Sequence, residues 1–359
     1  MKHLQAAFGR RNDAGMYLAV LILGIVGWLV LGSIPLVVVI FGQHLFATDS
    51  SELEQILQQI MSPNGFITLM FSSFVIGLIM LVLLVRLMHQ RGFSSVVNGR
   101  EKVRWSHFFT AFGLYFLLMA LFHGIMLLVD RDNILFQFDA RAFFSMLPLL
   151  LVLVPLQTLF EEYLFRGYLM QAVSVWSRRV WLVWIVPAIA FALAHSANPE
   201  VGAYGFFMMM SQYLLLALIF GLFTLADDGL EVSWGMHTAN NLFLLLFFTE
   251  PHSAMPTPAV WCYKDASPSL LDSLEIVLFG VVLWLVFRRI YQWKWPVMGG
   301  KISTGMASPA DEVTSENVTF APSAPSAPSA PSDSSAPSAS EGQEMISDRQ
   351  EGGENSVEN

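Results

Sequence analysis

Two adjacent glutamates and an arginine stand inside a strongly apolar stretch, in the run LFEEYLFR at residues 159–166. Helical spacing would place Glu162 and Arg166, which are four residues apart, on one face where they can pair. Glu161 lies about 100° further round the same helix, so one carboxylate is left for another task. An interfacial ion pair that only ends the helix is the alternative interpretation, but it does not explain why there are two glutamates.

Two more polar sites interrupt apolar stretches further along the chain. His195 closes the run FALAH at 191–195, and His237 and Asn241 share one helical face in WGMHTANN at 234–241. A charged side chain inside a membrane helix costs about 2.5–3.5 kcal/mol on insertion scales, so each such group needs a reason. Each site alone could serve packing or hydrogen bonding between helices. All of them together favour a functional site.

These residue types can together hydrolyse an amide bond. A carboxyl group in an apolar pocket is a useful general base near neutral pH, because burial disfavours its charged form. A histidine beside it can help to hold and deprotonate a water molecule. A second histidine, with an asparagine one turn away, can donate hydrogen bonds to a carbonyl oxygen as that oxygen gains negative charge. No Ser-His-Asp, Cys-His or Gly-x-Ser-x-Gly arrangement competes with this interpretation, and the one cysteine, Cys262, lies in a predicted outer loop.

The elements that carry these residues are predicted to be membrane helices. The 359 residues are 55% hydrophobic and only 13% charged, with a mean hydropathy of +0.56, whereas a soluble domain averages about 25% charged residues. We predict an all-α, polytopic membrane helix bundle, because a helix of roughly 20 apolar residues crosses the hydrocarbon core. The eight predicted segments are about 16–43, 66–88, 107–129, 143–170, 180–196, 204–226, 231–249 and 270–292.

The charge distribution predicts the orientation and excludes one class of partner. Lysine and arginine are concentrated in alternate loops and at both ends of the helical region, and the other side holds only Arg131, Arg141 and Lys264. Both termini are therefore predicted to be cytoplasmic, in a protein of the plasma (inner) membrane. No basic patch of the kind that nucleic acid needs is present, so the expected partners are the lipid bilayer and a membrane-associated peptide or protein substrate.

Two segments outside the predicted spans have a distinct composition. The run SELEQILQQIM at 51–61 places its apolar residues on one helical stripe, which predicts either a short interfacial helix or a helix packed on the bundle. The region 301–359 is rich in alanine, proline and serine. From Ile302 onward it contains ten acidic residues and one basic residue. Such a sequence buries too little apolar surface to fold, and we predict a disordered tail.

The three polar motifs, in this order, resemble the CAAX protease and bacteriocin-processing family of intramembrane endopeptidases. That family has Glu-Glu-x-x-x-Arg, then Phe-x-x-x-His, then His-x-x-x-Asn, and Phe191 supplies the phenylalanine here. The resemblance covers about residues 140–250. It implies that Glu161 and His195 activate water and that His237 and Asn241 bind the oxyanion. It also implies that Glu162 and Arg166 hold the helix that carries Glu161.

The resemblance leaves the metal and the substrate open. Zinc held by Glu161, His195 and His237 is the metalloprotease alternative, and a mechanism that requires no metal is the one we favour. A prenylated substrate is implied by the family name alone. A non-catalytic membrane scaffold or bacteriocin-immunity protein of the same fold is the main alternative function, and an ion-coupled transporter is the second.

The resemblance also suggests how the chain is divided. We expect N-terminal transmembrane helices at 1–140, a protease core at 141–250, an outer loop with a last helix at 251–300, and the tail at 301–359.

Overall fold

The computed structural model describes residues 1–9, 12–46, 62–266 and 268–304 and shows a helical bundle. The predicted interfacial segment 51–61 and the tail beyond residue 304 lie outside these residues. The helices are α1 (Lys2–Gln5), α2 (Ala14–Gly32), α3 (Ile34–Phe46), α4 (Pro63–Leu84), α5 (Phe93–Val97), α6 (Trp105–Val129), α7 (Ala140–Glu162), α8 (Met170–Ser177), α9 (Val180–Ala194), α10 (Pro199–Tyr204), α11 (Phe206–Asp227), α12 (Glu231–Phe247) and α13 (Leu270–Tyr291). Two π-helical turns, Val85–His89 and Tyr163–Leu169, continue α4 and α7, and a 3-10 turn spans Arg131–Asn133.

A helix is present at each of the eight predicted segments, and the protein is a polytopic membrane helix bundle. Five helical stretches in the described residues are long and apolar enough to cross a bilayer: Ala14–Val39, Pro63–His89, Trp105–Val129, Ala140–Ser177 and Phe206–Asp227. Helix α9 is apolar but has only 15 residues, which corresponds to about 22 Å. The count of eight spans stays a prediction, as does the orientation of the termini.

The glutamate motif lies near the middle of the longest continuous helical stretch among the described residues. Helix α7, the π-helical turn Tyr163–Leu169 and α8 follow one another without a break over 38 residues. Asp139 caps the start of α7 by accepting a hydrogen bond from the Ala142 amide. The π-helical turn begins directly after Glu162, and such turns are frequent at functional sites. The helical stretch extends beyond the predicted segment 143–170 at both ends, to Ala140 and Ser177.

Helix α12 lies beside this long stretch and carries the third motif. It packs against α6 and α7, while α9 packs against α11 and against the π-helical turn. Thr158 and Thr238 form an interhelical hydrogen bond of 2.8 Å between α7 and α12. The indole of Trp234 donates to the carbonyl oxygen of Pro155 at 2.9 Å. These polar contacts fix the two helices beside each other at the level of the motifs.

A small sheet at one end of the bundle was not predicted. Strands β1 (Ile134–Phe136), β2 (Phe248–Thr249) and β3 (Trp261–Tyr263) form it in the order β1-β3-β2. The β1 and β3 strands pair antiparallel, and β2 pairs parallel to β3. The helical assignment of residues 248 and 249 is therefore wrong, because their backbone pairs with Trp261 and Cys262.

The folded body continues slightly past the point where the sequence places the tail. Lys301 forms a β-bridge with Arg179. The Ile302 amide donates to the Arg178 carbonyl oxygen at 2.8 Å, and the Ile302 side chain is buried. Lys301 and Ile302 thus pack on the turn between α8 and α9.

Candidate active site

The Glu162–Arg166 pair predicted from the spacing is present and completely buried. Arg166 NH1 lies 3.1 Å from Glu162 Oε1, and the two side chains are 1% and 0% exposed. The guanidinium carbon lies 4.2 Å from the centroid of the Phe191 ring and 5.6 Å from that of Phe220. Burying a charge is costly unless an opposite charge pairs with it, so each of these two buried side chains depends on the other.

His237 joins this pair from the neighbouring helix and contacts both glutamates. Its Nδ1 lies 2.8 Å from Glu162 Oε1, and its Nε2 lies 3.4 Å from Glu161 Oε2. A carboxylate only accepts hydrogen bonds, so Nδ1 carries a hydrogen and Nε2 is the nitrogen that faces Glu161. The two adjacent glutamates therefore occupy different positions relative to one imidazole.

Glu161 keeps a carboxylate oxygen that receives no hydrogen bond. Its side chain is buried, and Oε2 has no hydrogen-bond partner within the described residues. Buried polar atoms usually have a partner, so an unpaired carboxylate oxygen beside an imidazole is unusual. This arrangement suits a group that binds and deprotonates a water molecule.

His195 lies beside the cluster but makes no direct bond to Glu161 in the described part of the chain. It follows the last residue of α9, and its Nδ1 donates to the Phe191 carbonyl oxygen at 2.8 Å. The same bond leaves Nε2 as the acceptor nitrogen of the neutral ring. The structure thus brings Glu161, Glu162, Arg166 and His237 into contact and leaves His195 adjacent.

The Phe191 ring is the common neighbour of the site residues. Its centroid lies 4.4 Å from that of His195 and 6.0 Å from that of His237, in addition to its contact with Arg166. Phe191 is 2% exposed. A single aromatic ring therefore sets the spacing between the two histidines and the guanidinium.

Asn241 forms the other boundary of the site, and a glutamine that the sequence analysis overlooked accompanies it. Asn241 Nδ2 donates to Gln157 Oε1 at 3.1 Å. Asn240 Nδ2 donates to Asn241 Oδ1 at 3.1 Å, which orients the Asn241 amide. Gln157 is buried and stands four residues before Glu161. This helical spacing of a polar residue in an apolar run was the signal that could have identified it.

A second overlooked group surrounds His195. The Tyr213 ring centroid lies 4.6 Å from that of His195, and the Tyr213 hydroxyl donates to the buried Glu200 carboxylate. Asn198 Nδ2 donates to the same carboxylate at 3.1 Å. Tyr213 thus packs on the His195 ring and is itself held by Asn198 and Glu200. Asn198 stands three residues after His195 and its backbone amide donates to the His195 carbonyl oxygen at 3.1 Å, whereas no local spacing relates Tyr213 to His195.

The donor set that would hold zinc does not converge. Among the described residues, no three His, Cys, Asp or Glu side chains are grouped as a metal site requires. A structural or catalytic zinc needs at least three protein ligands about 2 Å from one point. Of the three proposed ligands, Glu161 and His237 are in contact, whereas His195 is held by the backbone of its own helix.

His195 and Asn241 are the members of the site that retain accessible surface. Both are half-buried, whereas Glu162, Arg166 and His237 are buried. The Arg166 end of the cluster is closed by packing, because Gly167 contacts Val96 so closely that an added Cβ would lie 2.7 Å from it. Access to Glu161 is therefore expected from the side of His195 and Asn241.

Comparison with known proteins points to one family. Residues 142–243, which include every candidate site residue, match the family model described as type II CAAX prenyl endopeptidase Rce1-like. The uncharacterized protein YyaK of Bacillus subtilis (strain 168) is 31% identical over 208 residues, which cover 56% of this chain and 69% of YyaK. No solved structure matches.

Proposed function

We propose, because the chain belongs to the Rce1-like family of type II CAAX prenyl endopeptidases, that it hydrolyses a peptide bond of a membrane-associated protein or peptide. The observation that carries the proposal is the buried Glu161 carboxylate, unpaired at Oε2 and 3.4 Å from an imidazole that Glu162 already holds. An integral membrane helix bundle supplies the setting, and the substrate must reach a site that lies among its helices.

We assign the activation of water to Glu161. The carboxylate accepts a proton from water while the water oxygen bonds to the carbonyl carbon of the scissile peptide. The C–N bond then breaks, and the proton passes from Glu161 to the leaving nitrogen, so that one water molecule is consumed and no covalent enzyme intermediate forms. His195 is assigned to the same water, because its Nδ1 bond to Phe191 leaves Nε2 as an acceptor.

We assign the binding of the developing oxyanion to His237 and Asn241. Asn241 has two amide hydrogens, of which Gln157 takes one, so the second is available to substrate. His237 donates from Nε2 only when both ring nitrogens carry hydrogen. The two glutamates lie beside its ring nitrogens, and Arg166 pairs with Glu162. Such preorganised donors stabilise the charge of the transition state.

We further propose that the reaction requires no metal. The support is geometric, since Glu161, His195 and His237 do not form a three-ligand group among the described residues. The hydrogen bond from Nδ1 of His237 to Glu162 resembles the second bond of a metal-ligating histidine. The 3.4 Å between Nε2 and Glu161 Oε2 would suit two ligands of one zinc, so the support lies in the missing third donor among the described residues.

The substitution Glu161→Gln tests the proposal. It keeps the size of the side chain and removes the base, so turnover of a peptide library in membranes or detergent should fall by about 10²–10⁴-fold. Yield and membrane insertion should stay normal. Near wild-type turnover would show that Glu161 is not the base. A scaffold or immunity protein would instead show no turnover in either form and would keep its biological effect in the variant.

A further inference from the structure

The first helix of the chain packs against the helical turn that carries Arg166. His3 in α1 is 1% exposed, and its Nε2 lies 3.0 Å from the carbonyl oxygen of Arg166. A carbonyl oxygen only accepts, so Nε2 carries the hydrogen and His3 is the donor. Nδ1 of His3 is buried without a partner in the described residues. The contact therefore needs a ring that carries a hydrogen on Nε2.

Four further contacts hold α1 at this place. The backbone amides of Lys2 and His3 donate to the two carboxylate oxygens of Asp228 at 2.9 and 3.0 Å. Gln171 Nε2 donates to the His3 carbonyl oxygen at 2.8 Å. Gly99 allows close approach, because its φ is +66° and an added Cβ would lie 2.3 Å from the Lys2 carbonyl oxygen. The position of His3 is thus determined by three different parts of the chain.

Asp228 links the same helix to the element that carries His237. It lies in the turn between α11 and α12 with a φ of +54°, and its carboxylate also pairs with Arg100 at 3.1 Å. Helix α12 begins three residues later, at Glu231. One end of α1 is therefore attached to the helix of His237, and the His3 ring is attached to the backbone of Arg166.

The Arg166 side chain has few other restraints on its position. Its NH1 and NH2 atoms make no hydrogen bond of good geometry in the described residues. It is held by the ion pair with Glu162 and by the faces of Phe191 and Phe220. Ion pairs and ring faces tolerate displacement more readily than hydrogen bonds do. The location of the guanidinium consequently depends on where the backbone of the π-helical turn lies.

We propose that His3 is a positioning residue for the active site, an inference that rests on the proposed function. It donates to the Arg166 carbonyl, keeps the π-helical turn in place and so holds Arg166 against Glu162. His237 then keeps the orientation in which Nε2 faces Glu161. His3 acts through the backbone of Arg166, so we expect its effect in turnover rather than in binding.

The test compares His3→Leu, which lacks a donor, with His3→Gln, whose side-chain amide can place a donor near the position of Nε2. We expect His3→Leu to lower kcat by about tenfold with KM nearly unchanged, because small displacements of catalytic geometry reduce rate strongly. His3→Gln should restore most of the rate. Lys2→Ala, a change of an exposed side chain on the same helix, is the matched control and should behave like the wild type.

Hydrogen exchange of the peptide covering Tyr163–Gln171 provides a readout that is independent of activity. His3→Leu should accelerate exchange there, and His3→Gln should return it towards the wild-type rate. Equal behaviour of His3→Leu and Lys2→Ala in both measurements would overturn the inference. Equal losses in His3→Leu and His3→Gln would also overturn it, by showing that ring packing rather than the hydrogen bond matters.

Two further comparisons separate the possible failures. If His3→Leu does not accumulate, His3→Gln is compared with His3→Asn, whose shorter side chain places its amide near Nδ1. Equal turnover and equal exchange in these two variants would contradict the inference. If neither the wild type nor Glu161→Gln shows turnover, the proposed function fails, and hydrogen exchange alone then decides whether His3 holds the turn.

Discussion

His237 donates a hydrogen bond from Nδ1 to Oε1 of Glu162 at 2.8 Å, across the interface between two helices. Glu162 is also paired with Arg166 at 3.1 Å through the same oxygen, while its Oε2, like that of Glu161, has no hydrogen-bond partner in the described residues. Glu161, the preceding residue, keeps a free oxygen at the other nitrogen of the same imidazole. This relationship separates the roles of two chemically identical neighbours, and the first prediction follows from it.

Glu162→Gln should destabilise the protein far more than Glu161→Gln. The first change leaves the buried guanidinium of Arg166 without its counter-charge, and loss of one partner of a buried pair costs on the order of 3 kcal/mol. The second change removes a carboxylate whose contact with His237 is longer, at 3.4 Å. Thermal unfolding of both variants in the same detergent measures the difference. Equal unfolding temperatures would contradict the assignment of Glu162 to a structural ion pair.

Asn241→Ala should lower kcat by about 10²–10³-fold, as removal of one oxyanion donor typically does, with KM little changed. Asn240→Ala is the matched control on the adjacent position. Asn240 is hydrogen bonded to Tyr115 at 3.3 Å and to Asn241. Its loss should disturb only the orientation of the Asn241 amide and should therefore lower kcat less. Steady-state kinetics of both variants decide the matter. A larger effect at Asn240 than at Asn241 would exclude the proposed oxyanion role.

Treatment with a strong chelator should leave the enzyme active. Glu161, His195 and His237 do not converge on one point in the described residues, and the proposed base acts directly on water. Metal content and activity should be measured on the same samples before and after chelation. Zinc in stoichiometric amount, lost together with activity and regained together with it, would establish the metalloprotease alternative.

Acid should destabilise the protein through His3. Burial lowers the pKa of His3 from 6.5 to about 4, and the opposing effects of the nearby Asp228 and Glu231 carboxylates are smaller. Arg91 also faces the ring and disfavours its charge. Because the folded state binds the proton less readily than the unfolded chain, this contribution is complete above pH 6.5 and is lost as the pH falls towards 4.

The pH dependence can be isolated with the His3→Gln variant, which does not titrate. The unfolding temperature of the wild type should fall more steeply between pH 7 and pH 4.5 than that of the variant. Parallel curves would show that His3 carries no proton-linked stability.

Truncation of the protein after Thr304 should leave its peptidase activity unchanged. The acidic, proline-rich region beyond it contains no motif residue, and Lys301 and Ile302 pack on the turn at Arg178 and Arg179. An earlier stop after Met298 removes the buried Ile302 side chain and should lower yield or stability. Loss of turnover in the Thr304 truncation, with normal accumulation, would assign the missing region a part in substrate capture.

The amino-acid sequence by itself determined the membrane class, the helical segments and the Glu162–Arg166 pair. These features are local: apolar runs of sufficient length define membrane helices, and residues four apart in one helix meet whatever surrounds them. The order of the three motifs indicated the family, because each motif stays within one segment.

Only the tertiary structure decided which nitrogen of His237 contacts which glutamate. It also decided that His195 makes no direct bond to Glu161 in the described residues. The π-helical turn after Glu162, the hydrogen bond from Asn241 to Gln157 and the approach of His3 to Arg166 were equally hidden. Each of these depends on how helices distant in sequence are rotated against one another, and that rotation is set by packing of whole faces. A spacing rule within one helix contains no information about it.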